Sequence, residues 1–342
     1  MRRVVIDLVS PRPVWSITPQ AARAIRRAFG RGFEVVEVNA AGSSDGDGGA
    51  GSPEAAVAAP GAEVYLGYGV PRPVAVAARG SLKWAHTAAA GVRATITPEF
   101  LATGAVLTNA KGLHAEPMGD WAVAAIGFCL RGLHYTVQAQ REVRWTKDEF
   151  TDGRVPVREF GGTRVGIVGL GGIGSAVARR CVALGMEVRA VRRRPRAPRP
   201  RGVTWVGGPG QLAQVAKQSD VLVIAAPDTG ATRGVVNDAI LRALPRGAYV
   251  VSMARGSLLD EQALLMHLES GHLSGCVLDV FSAEPLPADH VFWRHPRVLV
   301  SPHVSAVSDR FWERETALLV ENIRRYRRGG RLKNLVDLEA GY

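Results

Sequence analysis

The chain has 342 residues, 46% of them hydrophobic and 22% charged, which suits globular packing and is long enough for two domains with a core each. Its longest apolar stretch, 121–130, is far too short to span a bilayer, so no membrane partner is expected. The formal charge of +12 is spread along the chain with no nucleic-acid motif; it reads as Arg-rich composition with a bias toward anionic ligands, and no nucleic-acid partner is expected.

At the N-terminus, Asp7 interrupts the apolar run that follows Arg2 and Arg3, so no secretory pattern is read there. Strands are predicted at 4–8 and 33–38, with a helix over 19–29 between them. The polar, low-complexity stretch 42–52 cannot pack and is expected to be a mobile loop. Short strand-like runs follow at 63–66, 83–86 and 106–108, completing a small α/β unit. A long helix is predicted over 118–140, apolar enough in its first half for a domain or subunit interface.

From residue 164 the pattern alternates strand and helix, with strands at 164–168, 187–191, 221–225, 248–252, 275–279 and 298–300. That alternation is the mark of a doubly wound parallel sheet. A last helix, 310–328, lies beyond it and is expected to return to the N-terminal part. The dinucleotide-type domain therefore reads as an insertion, with domains at 1–112, 113–304 and 305–342 and substrate in the cleft between them. Cys129, Cys181 and Cys276 are odd in number and lie within apolar segments, which points to buried thiols in a reducing cytoplasm, not to disulfides or a metal site.

The most informative motif is Gly169-Leu170-Gly171-Gly172-Ile173-Gly174, which joins the strand 164–168 to a helix-like segment, 175–184. Gly169 permits the tight turn, Gly171 admits a pyrophosphate close to the backbone, and Gly174 lets the helix pack on the strand with its amides facing the anion. In such a unit the second strand ends in an acidic residue that bonds a ribose hydroxyl. Here that position is Arg192, followed by Arg193 and Arg194. A guanidinium binds a 2′-phosphate that a carboxylate would repel, so NADPH is expected over NADH, with NADH possible.

Three polar residues stand near the C-terminal ends of late strands, where ligands of such sheets bind: Arg255, Glu284 and His303. Hydride reduction of a ketone makes an alkoxide, and a histidine can protonate it at neutral pH. A neighbouring carboxylate favours the imidazolium and fixes its tautomer, while an arginine grips a substrate carboxylate and polarises the adjacent carbonyl.

In sequence order, GLGGIG, ARGSLLDEQAL, LDVFSAEPLP, FWRHP and SPHVSA resemble the signatures of the D-isomer-specific 2-hydroxyacid dehydrogenases. Arg192 and the ending from Leu335 are similar to the NADPH-preferring glyoxylate/hydroxypyruvate reductase branch. The resemblance implies a Rossmann domain inserted into a smaller flavodoxin-like α/β substrate domain, and usually a homodimer. It implies Arg255 as substrate binder, Glu284 as partner of His303, and His303 as acid/base. Cofactor contacts would fall on Gly172, Ile173, Ala226, Pro227, Thr232, Met253, Ala254, Arg255 and Asp279, the last near the nicotinamide amide. Backbone amides around Tyr68 and Gly69, and around Ala90 and Gly91, would meet the substrate carboxylate; Arg93 departs from the family's usual Asp there. The expected activity is reduction of a small 2-keto acid such as glyoxylate or hydroxypyruvate. The alternatives are a cofactor-sensing regulatory protein of the same fold, or a dehydrogenase of a bulkier or phosphorylated acid.

Overall fold

The computed structural model describes residues 1–42, 51–339 and 341. Of the stretch 42–52 expected to be mobile, residues 43–50 lie outside the described residues. The chain divides into two compact units, Met1–His114 with Val307–Tyr342, and Ala115–Ala306.

The first unit is built on five parallel strands: β1 (Arg2–Asp7), β2 (Phe33–Glu37), β3 (Ala62–Gly67), β4 (Trp84–Thr87) and β5 (Val106–Asn109). Their order is β2-β1-β3-β4-β5, the flavodoxin-like winding. Both faces of such a sheet are covered, and β1 shows how: Val4 and Ile6 join one core while Val5 joins the other. The helix Pro19–Phe29 starts where Pro19 follows Thr18, whose hydroxyl accepts from the Ala21 amide at 3.2 Å. It buries Ile25 and Phe29 and stops at Gly30, φ +70°. The last helix, Phe311–Arg327, packs beside it and contributes Leu319 and Ile323 to the same core.

The second unit carries seven parallel strands: β6 (Arg164–Val168), β7 (Glu187–Val191), β8 (Val203–Gly207), β9 (Val221–Ile224), β10 (Ala248–Ser252), β11 (Leu273–Leu278) and β12 (Val298–Val300). The order is β12-β11-β10-β9-β6-β7-β8, so the winding reverses between β6 and β9. Ligands of doubly wound sheets bind at such a reversal, outside the strand C-termini. Alternate residues of β9 feed two cores: Val221 and Val223 on one side, Leu222 and Ile224 on the other. The helix Ala115–Leu130 covers the first of these faces and lies against the helix Gly172–Ala183.

Two expectations are corrected. The single helix predicted over 118–140 is two, Ala115–Leu130 and Leu133–Arg141, broken at Gly132 with φ +65°. A Cβ there would press on Val155 at 3.0 Å and Phe150 at 3.1 Å, so the glycine serves the turn and the packing under it; a lone glycine in a helical pattern does not by itself mark a stop in the sequence. The edge strand β8 was not foreseen. It follows an Arg/Pro-rich stretch, pairs only with β7, and leaves Thr204 and Trp205 partly in solvent, so it lacks the apolar run of a central strand.

Candidate active site

The glycine loop leaves β6 at the reversal of winding. Gly169 has φ +97°, and a Cβ on it would sit 2.5 Å from the Ala226 Cα. Gly174 is equally constrained, since a Cβ would overlap the Gly169 carbonyl. Gly171 differs: nothing lies within 4 Å of where its Cβ would be. It is also the N-cap of the helix Gly172–Ala183, with no side chain capping the first turn. The amides of Gly172, Ile173 and Gly174 therefore open onto a cradle beside the positive end of a helix. That combination fits a dinucleotide pyrophosphate. The neighbouring loop after β9 brings Ala226 against Gly169, and Thr232 ties it by donating to the Pro227 carbonyl at 2.6 Å.

Arg192 follows β7, and its amide donates to the Gly207 carbonyl at 3.0 Å, extending the pairing with β8. Its guanidinium turns back on the following loop and donates to the carbonyls of Ala197 and of Pro198, the latter at 3.1 Å. Arg192 is thus engaged in shaping the loop, whereas Arg193 and Arg194 are exposed on it.

On the other side of the reversal, the loops after β10, β11 and β12 converge. Glu284 and His303 are joined, Oε2 to Nδ1, at 2.7 Å. The other oxygen of Glu284 accepts from the Phe281 amide at 2.8 Å, so the carboxylate is fixed from behind. Both side chains remain about one-third exposed, open to a ligand. His303 has φ +55°, a left-handed backbone that costs a non-glycine residue about 1–2 kcal/mol. Its loop is held by Asp279, fully buried, whose Oδ1 accepts from Ser301 Oγ at 2.5 Å and the Val304 amide at 2.9 Å, and whose Oδ2 accepts from the Ser305 amide at 2.8 Å.

Arg255 lies on the loop after β10, partly buried, with Nη1 donating to the Ala254 carbonyl at 2.7 Å. Gly256 next to it packs directly on the backbone of Phe281 and Ser282; a Cβ would overlap both. The Arg255 loop and the Glu284 loop are therefore in backbone contact. Met253 is buried in the sheet core, and Ala254 and Ala226 are also buried. The sequence reading missed Gly256 and Ser301. The only trace of either was a place inside a recognised signature, ARGSLLDEQAL and SPHVSA.

In the first unit, Tyr68 is buried and its hydroxyl donates to the Trp15 carbonyl; burial pushes this phenol well above its usual range. The neighbouring residues of this turn, Gly67, Gly69 and Val70, are buried as well. Ala90 is exposed, its carbonyl accepting from Asn109 Nδ2 at 2.8 Å, and Gly91 is partly exposed. His86 and Glu315, both fully buried, are paired at 2.7 Å between β4 and the last helix. Among the described residues no group of three or more potential metal ligands occurs, and no helix is long and apolar enough to cross a membrane.

Comparison with known proteins bears on this geometry. Residues 123–305 match the model of the D-isomer specific 2-hydroxyacid dehydrogenase NAD-binding domain. The chain is 33% identical over 273 residues to a glyoxylate/hydroxypyruvate reductase A of Photorhabdus laumondii, covering 78% of this chain and 84% of that one. A D-isomer specific 2-hydroxyacid dehydrogenase of Xanthobacter autotrophicus Py2, solved with NADPH and MES, superposes with a TM-score of 0.78 at 29% identity, covering 100% and 99% of the two chains. An NADPH-dependent glyoxylate/hydroxypyruvate reductase of Sinorhizobium meliloti, solved with NADP and sulfate, gives 0.76 at 25% identity, covering 100% of each.

Proposed function

Because this chain belongs to the D-isomer specific 2-hydroxyacid dehydrogenase family, we propose that it reduces small 2-keto acids, with glyoxylate and hydroxypyruvate as the first substrates to try, to D-2-hydroxy acids. It is an NAD(P)-dependent oxidoreductase. The bound nicotinamide cofactor supplies the hydride that reaches the keto carbon. The observation that carries the reading is the 2.7 Å contact of Glu284 with His303 Nδ1, in the same unit as the open cradle at Gly171. Glu284 fixes the imidazole through Nδ1, so that Nε2 delivers the proton to the substrate oxygen as negative charge gathers there. Arg255 holds the substrate carboxylate and polarises the carbonyl.

The cofactor is assigned to the amides from Gly171 to Gly174, with Ala226, Pro227 and Thr232 along one side and Met253, Ala254 and Asp279 toward the nicotinamide. NADPH is the proposed preference and NADH a weaker substitute. The exposed Arg193 and Arg194, on a loop shaped by Arg192, supply the positive charge for a 2′-phosphate. The two solved relatives bound to NADPH or NADP support this choice.

A homodimer is proposed through the surface beyond the helix Ala115–Leu130, where Leu133 and Val137 are partly exposed and Val143 and Trp145 are each 92% exposed. The three cysteines are buried and unbridged, which supports a cytoplasmic setting. The test is a panel of keto acids with NADPH and NADH in parallel, followed by loss of the reduced cofactor's absorbance. Oxidation, faster with NADPH, is the expected result; none with any keto acid would favour a cofactor-sensing protein.

A further inference from the structure

We propose that Glu261 is a positioning residue that ties the loop carrying Arg255 to the loop carrying Glu284, and so sets the imidazole of His303 against the group that holds the substrate; this rests on the reading of Arg255, Glu284 and His303 given above. Glu261 opens the helix Glu261–Glu269, and its backbone is a firm post. The segment before it turns tightly, the Leu258 amide donating to the Arg255 carbonyl at 3.2 Å and the Leu259 amide to the Gly256 carbonyl at 3.1 Å. The Asp260 amide then donates to the Val236 carbonyl at 3.0 Å, and its side chain caps the helix by accepting from the Ala263 amide at 3.0 Å. From that post the Glu261 carboxylate reaches the loop after β11. Its Oε1 accepts from the Ser282 amide at 2.7 Å and its Oε2 from the Ser282 hydroxyl at 2.6 Å.

Both oxygens thus go to one residue 21 positions away in the chain. A carboxylate that accepts twice from the same residue fixes direction as well as distance. Ser282 adjoins the peptide that matters most: the Phe281 amide donates to Glu284 Oε1 at 2.8 Å, and Glu284 Oε2 meets His303 Nδ1 at 2.7 Å. At the other end of the contact, Gly256 packs so closely on the backbone of Phe281 and Ser282 that a Cβ would overlap it. Packing at Gly256 therefore keeps the two loops from moving closer, and Glu261 keeps them from parting. An acid in the first turn of a helix has an ordinary use, offsetting the helix dipole, but that use asks only for charge near the amides. It does not call for two bonds to a loop of another strand.

The test compares Glu261→Ala, Glu261→Gln and Ser282→Ala with the parent protein. Alanine at 261 removes both contacts. Glutamine keeps them, its carbonyl accepting from the Ser282 amide and its amide donating to the Ser282 hydroxyl oxygen, while it loses the charge that favours the helix N-terminus. Ser282→Ala keeps the amide contact alone. Glu261→Ala is expected to lower kcat/KM for the keto acid by about fivefold or more, the equivalent of one lost hydrogen bond. Glu261→Gln should stay within about twofold of the parent, with Ser282→Ala between the two. A second readout needs no turnover. In protein carrying nitrogen-15 histidine, the imidazole signal of His303, identified by its loss in His303→Gln, should move in both alanine variants and hold in Glu261→Gln. If the parent protein reduces no keto acid, the functional reading fails while this spectrum still decides the positioning role. If Glu261→Ala does not fold, Ser282→Ala, an exposed site outside the core, carries the test by the same rate and signal. Parental kcat/KM in the alanine variants, a His303 signal unmoved in both, or a Glu261→Gln protein as impaired as Glu261→Ala would overturn the proposal; the last result would leave Glu261 only its charge at the helix end.

Discussion

Nδ1 of His303 lies 2.7 Å from Glu284 Oε2, and Glu284 Oε1 is in turn held by the Phe281 amide at 2.8 Å. The imidazole is thus oriented by a carboxylate that cannot itself swing away without abandoning a backbone donor. In the proposed mechanism this arrangement makes the ring a directed proton donor and not a loosely tethered one.

Glu284→Gln keeps an acceptor for one of those two contacts but removes the charge. We expect kcat/KM to fall by about 10- to 100-fold, the range for losing one bond to a charged group, with NADPH affinity unchanged. Steady-state rates and a cofactor titration on the same preparation check this. Unchanged kcat/KM would mean that the pair at 2.7 Å plays no part in the reaction.

The proposed preference for NADPH rests on the arginines after β7. Replacing Arg192 and Arg193 together with alanine should weaken NADPH at least about tenfold, from one or more lost charge-assisted bonds, and spare NADH. Equal losses for the two cofactors would remove the basis for the preference, and would point instead to collapse of the loop whose carbonyls Arg192 holds.

The glycines of the loop separate folding from binding. Gly169→Ala should cost several kcal/mol of stability, because φ is +97° and the added Cβ would lie 2.5 Å from the Ala226 Cα. Gly171→Ala has open space and an ordinary φ of −87°, so its melting temperature should hold. Its methyl group enters the cradle, and NADPH binding should weaken by about tenfold or more. Thermal melts and cofactor titrations of both variants decide the matter; a Gly171→Ala protein that binds NADPH normally would place the pyrophosphate elsewhere.

His134 sets an acid-side limit on stability. Burial beside Phe128, Tyr135 and Tyr249 pushes it down from 6.5 to about 4. Between those values the unfolded chain takes up a proton that the folded protein refuses, so stability falls as pH drops through the window and levels off below it. His134→Phe, which cannot titrate, should show a shallower decline in melting temperature from pH 6.5 to 4. Parallel declines in the two proteins would contradict this.

Much of the fold was legible because a buried parallel sheet writes itself as short apolar runs, as in Val221–Ile224 and Ala248–Ser252. What stayed hidden lies where that rule weakens. The edge strand Val203–Gly207 shares its exposed face with solvent, and Gly132 breaks a helical pattern at a point where a lone glycine could equally have been tolerated. In the site, residue type and order singled out Glu284 and His303, yet periodicity says nothing about two loops 19 residues apart meeting at 2.7 Å. Arg192 was read from its place at the end of the second strand and from its charge, and neither reveals that its guanidinium is occupied by the carbonyls of its own loop. The grip of Asp279 on Ser301, Val304 and Ser305 is likewise a product of adjacent strands, β11 and β12, which only the folded sheet brings side by side.

The most direct test of the whole account is His303→Gln, measured for turnover of a 2-keto acid and for NADPH affinity on the same folded protein. Loss of the proton donor should lower kcat by about 10²- to 10⁴-fold while the Kd for NADPH stays within experimental error. Near-normal turnover in that variant would contradict the account at its centre.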